Sequence, residues 1–419
     1  MMNVLAGIWA LLIGIVFIML GNGMHFTLIG LRGGIEGFSA AELSIVASGY
    51  FLGFLSGARL TPEMIRRVGH VRVFAALGSF MSAGLIAFAL FTDPISWTLL
   101  RIVIGFCMSG IYVTAESWLN ASATNETRGK VLSAYMMAQT LGIIGAQGLL
   151  TLGDAATAGL FIGASILVSI SFGPILLSVT PTPAAEVTRP MPLRELFRGT
   201  PLGTVGMFLL GTIYATQSGL GAVYGTQIGL TADQIALFIA MLFAGALFLQ
   251  YPIGWLSDRM DRRTLIFGCA VLGAVFSLGG WVFGGDLWIL MAMAFLTGGV
   301  TTPLYALILA YTNDALSAED MPAASGGLVL TFGVGAILGP LGAGWGMQVS
   351  GPATFWLALS VVFVAIALYS AYRMTRRPTP AAEDTDSYLG VLPTASPVAV
   401  EAAGVWSAEQ GELDREGDD

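Results

Sequence analysis

The chain has 419 residues, of which 55% are apolar and only 11% charged, against about 25% charged in soluble domains. Its mean hydropathy is +0.79. A water-soluble protein of this size would still need a charged surface, so this composition excludes one and makes lipid the natural solvent. The net charge of −8 is unevenly spread: residues 374–419 hold 10 of the 26 acids and 3 of the 18 bases, leaving the rest nearly neutral.

Scanning in chain order for runs of about 20 apolar residues, enough to cross roughly 30 Å of hydrocarbon, predicts twelve spans. They lie near 6–30, 40–60, 72–91, 96–120, 129–152, 156–178, 201–227, 233–256, 264–284, 287–312, 322–348 and 352–373. The runs are continuously apolar rather than alternating, which favours helices over a barrel. The first run is too long for a signal-peptide core and is read as a retained span. The predicted fold is an all-α integral membrane protein with twelve transmembrane helices in two pseudo-symmetric six-helix bundles. The first bundle covers 1–178, a Pro-rich cytoplasmic inter-bundle loop covers 179–200, and the second bundle covers 201–373. The segment 374–419, rich in Pro, Ala, Glu, Asp and Gly, is expected to be a disordered acidic cytoplasmic tail.

Positive residues near span ends stay on the cytoplasmic side, and 15 of the 18 bases follow even-numbered spans. They are Arg59, Arg66, Arg67 and Arg72; Arg128 and Lys130; Arg189, Arg194 and Arg198; Arg259, Arg262 and Arg263; and Arg373, Arg376 and Arg377. Both termini are therefore expected in the cytoplasm, and the protein in the bacterial inner (plasma) membrane. Only the turn after span 10 departs from the pattern, with Asp314, Glu319 and Asp320 and no base.

The two halves repeat. At a shift near 193, Trp118-Leu119-Asn120 and Glu126 fall on Tyr311-Thr312-Asn313 and Glu319; at 192, Arg66 to His70 fall on Asp258 to Arg262; at 194, Gly145 and Gly148 fall on Gly339 and Gly342. A duplicated six-span unit allows two halves to rock about a central site.

The decapeptide from Gly254 to Arg263 joins a helix-packing glycine, an aspartate and a basic cluster at the end of span 8. It resembles the loop signature of the major facilitator superfamily, Gly-x-x-x-Asp-Arg-x-Gly-Arg-Arg, with Asp261 in place of the second glycine. The first-half copy keeps Arg67, Gly69, His70 and Arg72 but carries Arg66 in the aspartate position. Arg101-x-x-x-Gly105 is similar to the family's fourth-span motif. Gly335-x-x-x-Gly339-Pro340-x-x-x-Gly344, here in span 11, is similar to a motif that marks some antiporters in the fifth span. Glu116 to Asn120, Thr127 to Gly129 and Gln250-Tyr251-Pro252 resemble the YcaD-like bacterial branch. The resemblance covers roughly residues 5 to 373. It implies a rocker-switch secondary transporter in which Gly254, Asp258, Arg259, Arg262 and Arg263, with Arg67 and Arg72 of the first-half copy, form a conformational latch.

Helix geometry adds a stripe in span 4. At about 100° per residue, Arg101, Gly105, Met108, Tyr112 and Glu116 fall within roughly 80° of one another, with Arg101 and Glu116 about 22 Å apart. Charge in hydrocarbon costs at least about 2.5 kcal/mol, so this face is expected to line the interior. Two readings stand for Glu116: a proton carrier, or a latch residue paired with Arg67 or Arg128. Arg101 either binds an anionic group or tunes a proton site. His25 and Asn22 share a face of span 1 near its outer end, where His25 reads either as a structural histidine or as a proton relay. Tyr135 and Gln139 share a face of span 5, and Tyr214, Gln217 and Tyr224 a face of span 7. These groups suit an uncharged or zwitterionic solute, or else serve as interhelical glue, the role given to Gln147, Gln250 and Gln348.

No phosphate-cradling Gly-x-x-x-x-Gly-Lys-Ser/Thr is present and the single lysine, Lys130, lies in a loop, so energy must come from a gradient. Cys107 and Cys269 lack the spacing of a disulfide framework or a metal site. No cofactor, metal, nucleic acid or enzymatic activity is expected. The expected partners are a small-molecule solute, the lipid bilayer and, if the carrier is coupled, protons, with a monomer as the working unit. An uncoupled facilitator or drug-efflux carrier, and a membrane receptor or assembly factor on a transporter scaffold, are the alternatives.

Overall fold

The computed structural model describes residues 2–176, 191–316, 320–376 and 388–417. Most of the inter-bundle loop, with Arg189, and also Glu319 and Arg377, lie outside the described residues. The helices are α1 (Met2–Ile35), α2 (Ala40–Val68), α3 (His70–Leu90), α4 (Pro94–Ser122), α5 (Asn125–Leu150), α6 (Gly159–Leu176), α7 (Leu193–Gly199), α8 (Pro201–Gln227), α9 (Ala232–Ser257), α10 (Arg262–Phe283), α11 (Leu287–Asn313), α12 (Met321–Ser350), α13 (Thr354–Met374) and α14 (Pro397–Gly417). The six helices α1–α6 and the six helices α8–α13 match the twelve predicted spans. Among the described residues nine of them are by themselves long and apolar enough to cross a membrane. The short α7 meets α8 at 117°, so the chain turns sharply as it enters the second bundle.

Helix starts are set by local chemistry. Ser39 and Glu42 form a capping box at α2, Thr231 and Gln234 another at α9, while Asp93 and Asp286 accept from the first backbone N–H groups of α4 and α11. Each cap satisfies a backbone donor that lipid could not. These hydroxyl and carboxylate caps sit at one end of the molecule. The opposite end, where α2 turns into α3 and α9 into α10, carries the arginines.

Packing repeats as the sequence shift predicts. In the first bundle α1 lies against α5 and α6, α2 against α4, and α3 against α4 and α6; in the second α8 lies against α12 and α13, α9 against α11, and α10 against α11 and α13. Between bundles, α2 meets α12 as α5 meets α9, and α1 meets α8. The tightest pairs use matching glycines. A Cβ on Gly53 or Gly105 would collide with the backbone of Ile102 or Tyr50, and one on Gly245 or Gly298 with that of Phe295 or Leu242, an offset of 192 and 193. Such close approach is how helices associate where lipid removes the hydrophobic drive.

At the capped end the bundles touch. Gly30 and Gly34 of α1 meet Ala222 and Thr226 of α8, Gly344 meets Ser44, and Ser48 Oγ donates to the Ile337 carbonyl across α2 and α12 at 2.8 Å. Large apolar residues such as Phe80, Leu90, Phe248, Trp345 and Leu368 face outward, as a lipid-facing surface requires.

The described part of the segment expected to be an unstructured tail is ordered. Tyr388–Ser396 enters the arginine-rich end between the bundles, and α14 packs against α4, α5, α11 and α12. The reason is a stripe of small residues, Ala395, Ala399 and Ala403 with Val391 and Val400, all buried. Overall acidity concealed them: Val391 and Ala395 lie in the stretch before α14, while Ala399 and Ala403, one turn apart, give α14 a small-residue face that suits close helix packing.

Candidate functional site

On the axis between the bundles is a cavity of about 40 Å³. The first bundle contributes Asn22, Phe26, Thr27, Tyr50, Tyr112 and Gln147 to its wall; the second contributes Tyr214, Ser218 and Phe243; Thr394 comes from the C-terminal segment. Among the described residues no charged side chain lines it. A void of this size holds a water or two, and no metabolite. Nearer the arginine-rich end lies a larger cleft of about 570 Å³ between α5 and α9. Met136, Thr140, Gln250 and Thr302 line it, with Tyr388 to Leu392 on the inner side. Thr394 thus walls the deep void and Tyr388 to Leu392 the outer one.

The span 4 stripe faces inward, yet its members do different things. Tyr112 lies in the cavity wall and donates to Met19 Sδ at 3.3 Å. Arg101, 1% exposed, sits behind that wall, with its guanidinium 4.1 Å from the Phe26 ring centroid and 4.8 Å from that of Tyr50. Its Nη1 is 3.4 Å from His25 Nδ1. None of the ion pairs found among the described residues includes Arg101, and the cation is held by ring faces and an imidazole. His25 packs edge-on to Phe88 at 4.6 Å, and Asn22 reaches the cavity itself.

Glu116, 2% exposed, does not form the expected latch ion pair. Its Oε1 accepts from the Tyr135 hydroxyl at 3.0 Å and its Oε2 from the backbone N–H of Ser396 at 2.9 Å. Arg67 instead pairs with Glu63 at 2.8 Å on the surface, Arg72 is exposed, and Arg128 approaches Glu409 of α14 at 3.8 Å. Helix geometry explains the correction: Glu116 lies on the inner face of α4, whereas Arg67 ends α2 on its outer side. Gln139 is fully buried one turn from Tyr135, with only a 3.8 Å contact to Met136 Sδ.

In the second bundle Tyr214 lines the cavity, and Gln217 donates to Thr301 Oγ1 at 3.1 Å, joining α8 to α11. Tyr224 belongs elsewhere. Ten residues along α8, about 15 Å, it stacks on Phe355 at 4.9 Å within an aromatic cluster that includes Phe238 and Trp356. The shared face was read correctly, but its length exceeds the cavity.

The signature decapeptide splits between two tasks. Arg262 is ion-paired to Asp314 at the end of α11 and donates to Ser257 at 3.3 Å; Arg263 bonds Asp261, which caps α10. Asp314 is one of the acids in the turn that lacked a base, and its partner comes from the neighbouring turn. The first-half counterpart is His70, whose Nε2 lies 3.0 Å from Ser117 Oγ, a neutral version of the same α3-to-α4 tie. Arg259 lies over Trp255 at 4.3 Å. Asp258 Oδ1 accepts from the Tyr388 N–H at 2.8 Å, Gln250 donates to the Tyr388 hydroxyl at 2.8 Å, and the Tyr388 ring fills the space beside Gly254. Burial pushes the Tyr388 phenol well above its usual range, so it remains neutral.

Sequence reading missed Phe26, Tyr50, Ser218, Phe243 and Thr394. The aromatic run Tyr50-Phe51-Phe54 in span 2 was a usable signal; the others carry none. Gln147, taken as glue, accepts from Thr27 at 2.8 Å and also faces the cavity.

Two bundles of six lipid-facing helices about an axial cavity define a membrane transporter rather than an enzyme. The Major Facilitator Superfamily profile matches residues 11–231 and 202–394. The chain belongs to that superfamily, on its YcaD-like branch. It is 27% identical over 380 residues to an uncharacterized MFS-type transporter of Enterobacter sp. (strain 638), covering 89% of this chain and 97% of the relative. To the YcaD transporter of Escherichia fergusonii it is 27% identical over 336 residues, covering 79% and 86%. Among solved structures, the nucleoside transporter NupG superposes with a TM-score of 0.74 at 15% identity, covering 88% of this chain and 99% of that one, and its D323A mutant with 0.76 at 14%, covering 87% and 99%.

Proposed function

We propose that the protein is a secondary carrier that moves a small, uncharged, ring-bearing polar solute across the bacterial inner membrane by alternating access. The observation that carries this is the axial cavity, walled by both bundles with tyrosines, phenylalanines, Asn22, Thr27 and Gln147 and no charge. Rings offer flat faces to a planar solute and the amides fix its orientation. NupG is a nucleoside transporter, and a nucleoside is one solute of this class; the fold likeness alone does not carry its substrate across.

The arginine-rich end is the cytoplasmic one in this reading, with both termini on that side. Bundle contact at the opposite end makes this the inward-facing arrangement. Glu116 is the coupling residue: a carboxylate held by the Tyr135 phenol and by donors of Ser396 and Ala399 in the C-terminal segment, with no cation beside it among the described residues, gains and loses a proton as those donors move. Arg262 and Asp314, with Asp258, stiffen and latch the second bundle.

The test is a thermal-shift screen of the purified chain against nucleosides, nucleobases and other metabolites, followed by proteoliposome uptake of the hits with and without a pH gradient. Accumulation against a gradient when a pH difference is imposed is expected. Equal rates with and without it would leave an uncoupled facilitator, and no flux of any stabilising solute would remove the carrier reading.

A further inference from the structure

We infer that the C-terminal segment Tyr388–Ala403 is an autoinhibitory plug that occupies the carrier's own solute pathway. The inference rests on the carrier reading for its consequence and on geometry alone for its existence. Four contacts at separate depths hold the segment. Tyr388 donates its N–H to Asp258, the C-cap of α9, and takes a hydrogen bond from Gln250 in α9. Thr394 reaches the deep cavity, facing the hydroxyls of Tyr112 and Tyr214. The Ser396 N–H caps Glu116. Beyond it, Ala399 and Ala403 are buried, Gly404 rests on Asn313, and Trp406 lies on Gly129.

The segment is also the partition between the 40 Å³ deep void and the 570 Å³ outer cleft, since its residues line both. Its removal is expected to join them into one cavity that runs from the arginine-rich end to Asn22 and Tyr112. While it is seated, two steps are blocked. A solute cannot occupy the space around Tyr112 and Tyr214, and the bundles cannot close at this end over a chain wedged between α4 and α9. The donor that Ser396 presents to Glu116 stands where a solute's own N–H or O–H would bond, so the plug also satisfies the buried carboxylate that an empty pathway would leave to water.

Such a plug acts as an intramolecular competitor. Engaged about 90% of the time, it lowers the apparent affinity of the site about tenfold. Undocking needs only loss of fit along the small-residue face, which makes the proposal testable in the full chain without deletion.

The reporter is Ser218→Cys in the deep cavity, probed with a membrane-impermeant maleimide on purified protein; the native Cys107 and Cys269 are buried and give little background. Ala399→Arg places a long cation where a methyl now packs, and Ser396→Pro removes the N–H that Glu116 accepts. Both should leave the bundles folded, as judged by an unchanged melting transition, and speed labelling of the reporter about tenfold or more. Should Ala399→Arg not fold, the milder Ser396→Pro carries the comparison. Conversely, Gln250→Cys with Gly390→Cys should cross-link on oxidation, because a Cβ on Gly390 falls against the Gln250 side chain, and flux should drop in the oxidised form and return on reduction.

Unchanged labelling in both folded variants would overturn the plug. The readout needs no solute, so the two readings fail separately: faster labelling without flux would retire the carrier, and flux without faster labelling would retire the plug.

Discussion

The backbone N–H of Ser396 donates to Oε2 of Glu116 at 2.9 Å, joining residues 280 positions apart in the chain. It couples the buried carboxylate of the first bundle to the C-terminal segment. Ser396 and Ala399 of that segment both donate to this carboxylate, so its hydrogen bonding depends on whether the segment is seated.

If Glu116 couples transport to protons, Glu116→Gln keeps an acceptor for Tyr135 but cannot release a proton. Counterflow exchange should persist within about threefold, while accumulation driven by a pH gradient is lost. Proteoliposome uptake, with and without an imposed gradient, measures both; retained accumulation would exclude Glu116 as the carrier.

Arg262 and Asp314 form a buried ion pair that ties α10 to α11. Asp314→Ala leaves Arg262 buried without that carboxylate, and breaking such a pair costs about 3–5 kcal/mol. A clear drop in the melting temperature is expected, whereas surface Glu63→Ala, which touches only exposed arginines, should change it little.

Gly53 and Gly245 occupy matching places in the two bundles, each against a carbonyl of the crossing helix. Ala in either position forces the helices apart, at about 1–3 kcal/mol for overpacking. Similar losses of melting temperature are expected for Gly53→Ala and Gly245→Ala, while Gly148→Ala, where a Cβ meets nothing within 4 Å, should be tolerated. Unequal effects of the first two would count against the structural repeat.

Gly344 packs on Ser44 where α12 meets α2 at the closed end. Gly344→Trp should hold the bundles apart there and abolish flux with the fold intact. Maleimide labelling of a cysteine at Ser48 from that side should rise in the same variant, and normal flux would exclude closure at this contact.

Arg101→Ala removes a cation stacked between Phe26 and Tyr50, two residues of the cavity wall. Flux should fall strongly, through rings that lose their support rather than through a lost solute contact. Arg101→Lys, a point charge without a planar face, should recover less than half of it. Full recovery by Lys would show that charge alone matters.

Much of this was written in the chain. Twelve apolar runs placed the helices to within about five residues at nearly every end, because each span must satisfy its backbone internally and must be long enough to cross hydrocarbon; α2 runs eight residues past its expected end, to Val68, as a polar extension beyond the lipid. The two-bundle repeat was visible as a shift near 193, since glycines at crossings such as Gly105 and Gly298 are demanded by backbone contact. The inward face of α4 was legible because a charge such as Glu116 has nowhere else to go. Which partner each polar group meets was decided only in three dimensions. Tyr224 shares a helical face with Tyr214 but lies beyond the cavity, Arg101 sits behind the wall it was expected to form, and Glu116 bonds a phenol and a distant amide rather than an arginine. Periodicity fixes direction around a helix axis; it says nothing of what arrives from another helix at the same depth. The C-terminal segment illustrates the limit. Its acidity predicted a solvated tail, while a few alanines at four-residue spacing, too small to register as hydrophobic, find a partner only after two bundles have folded and left a gap of their width.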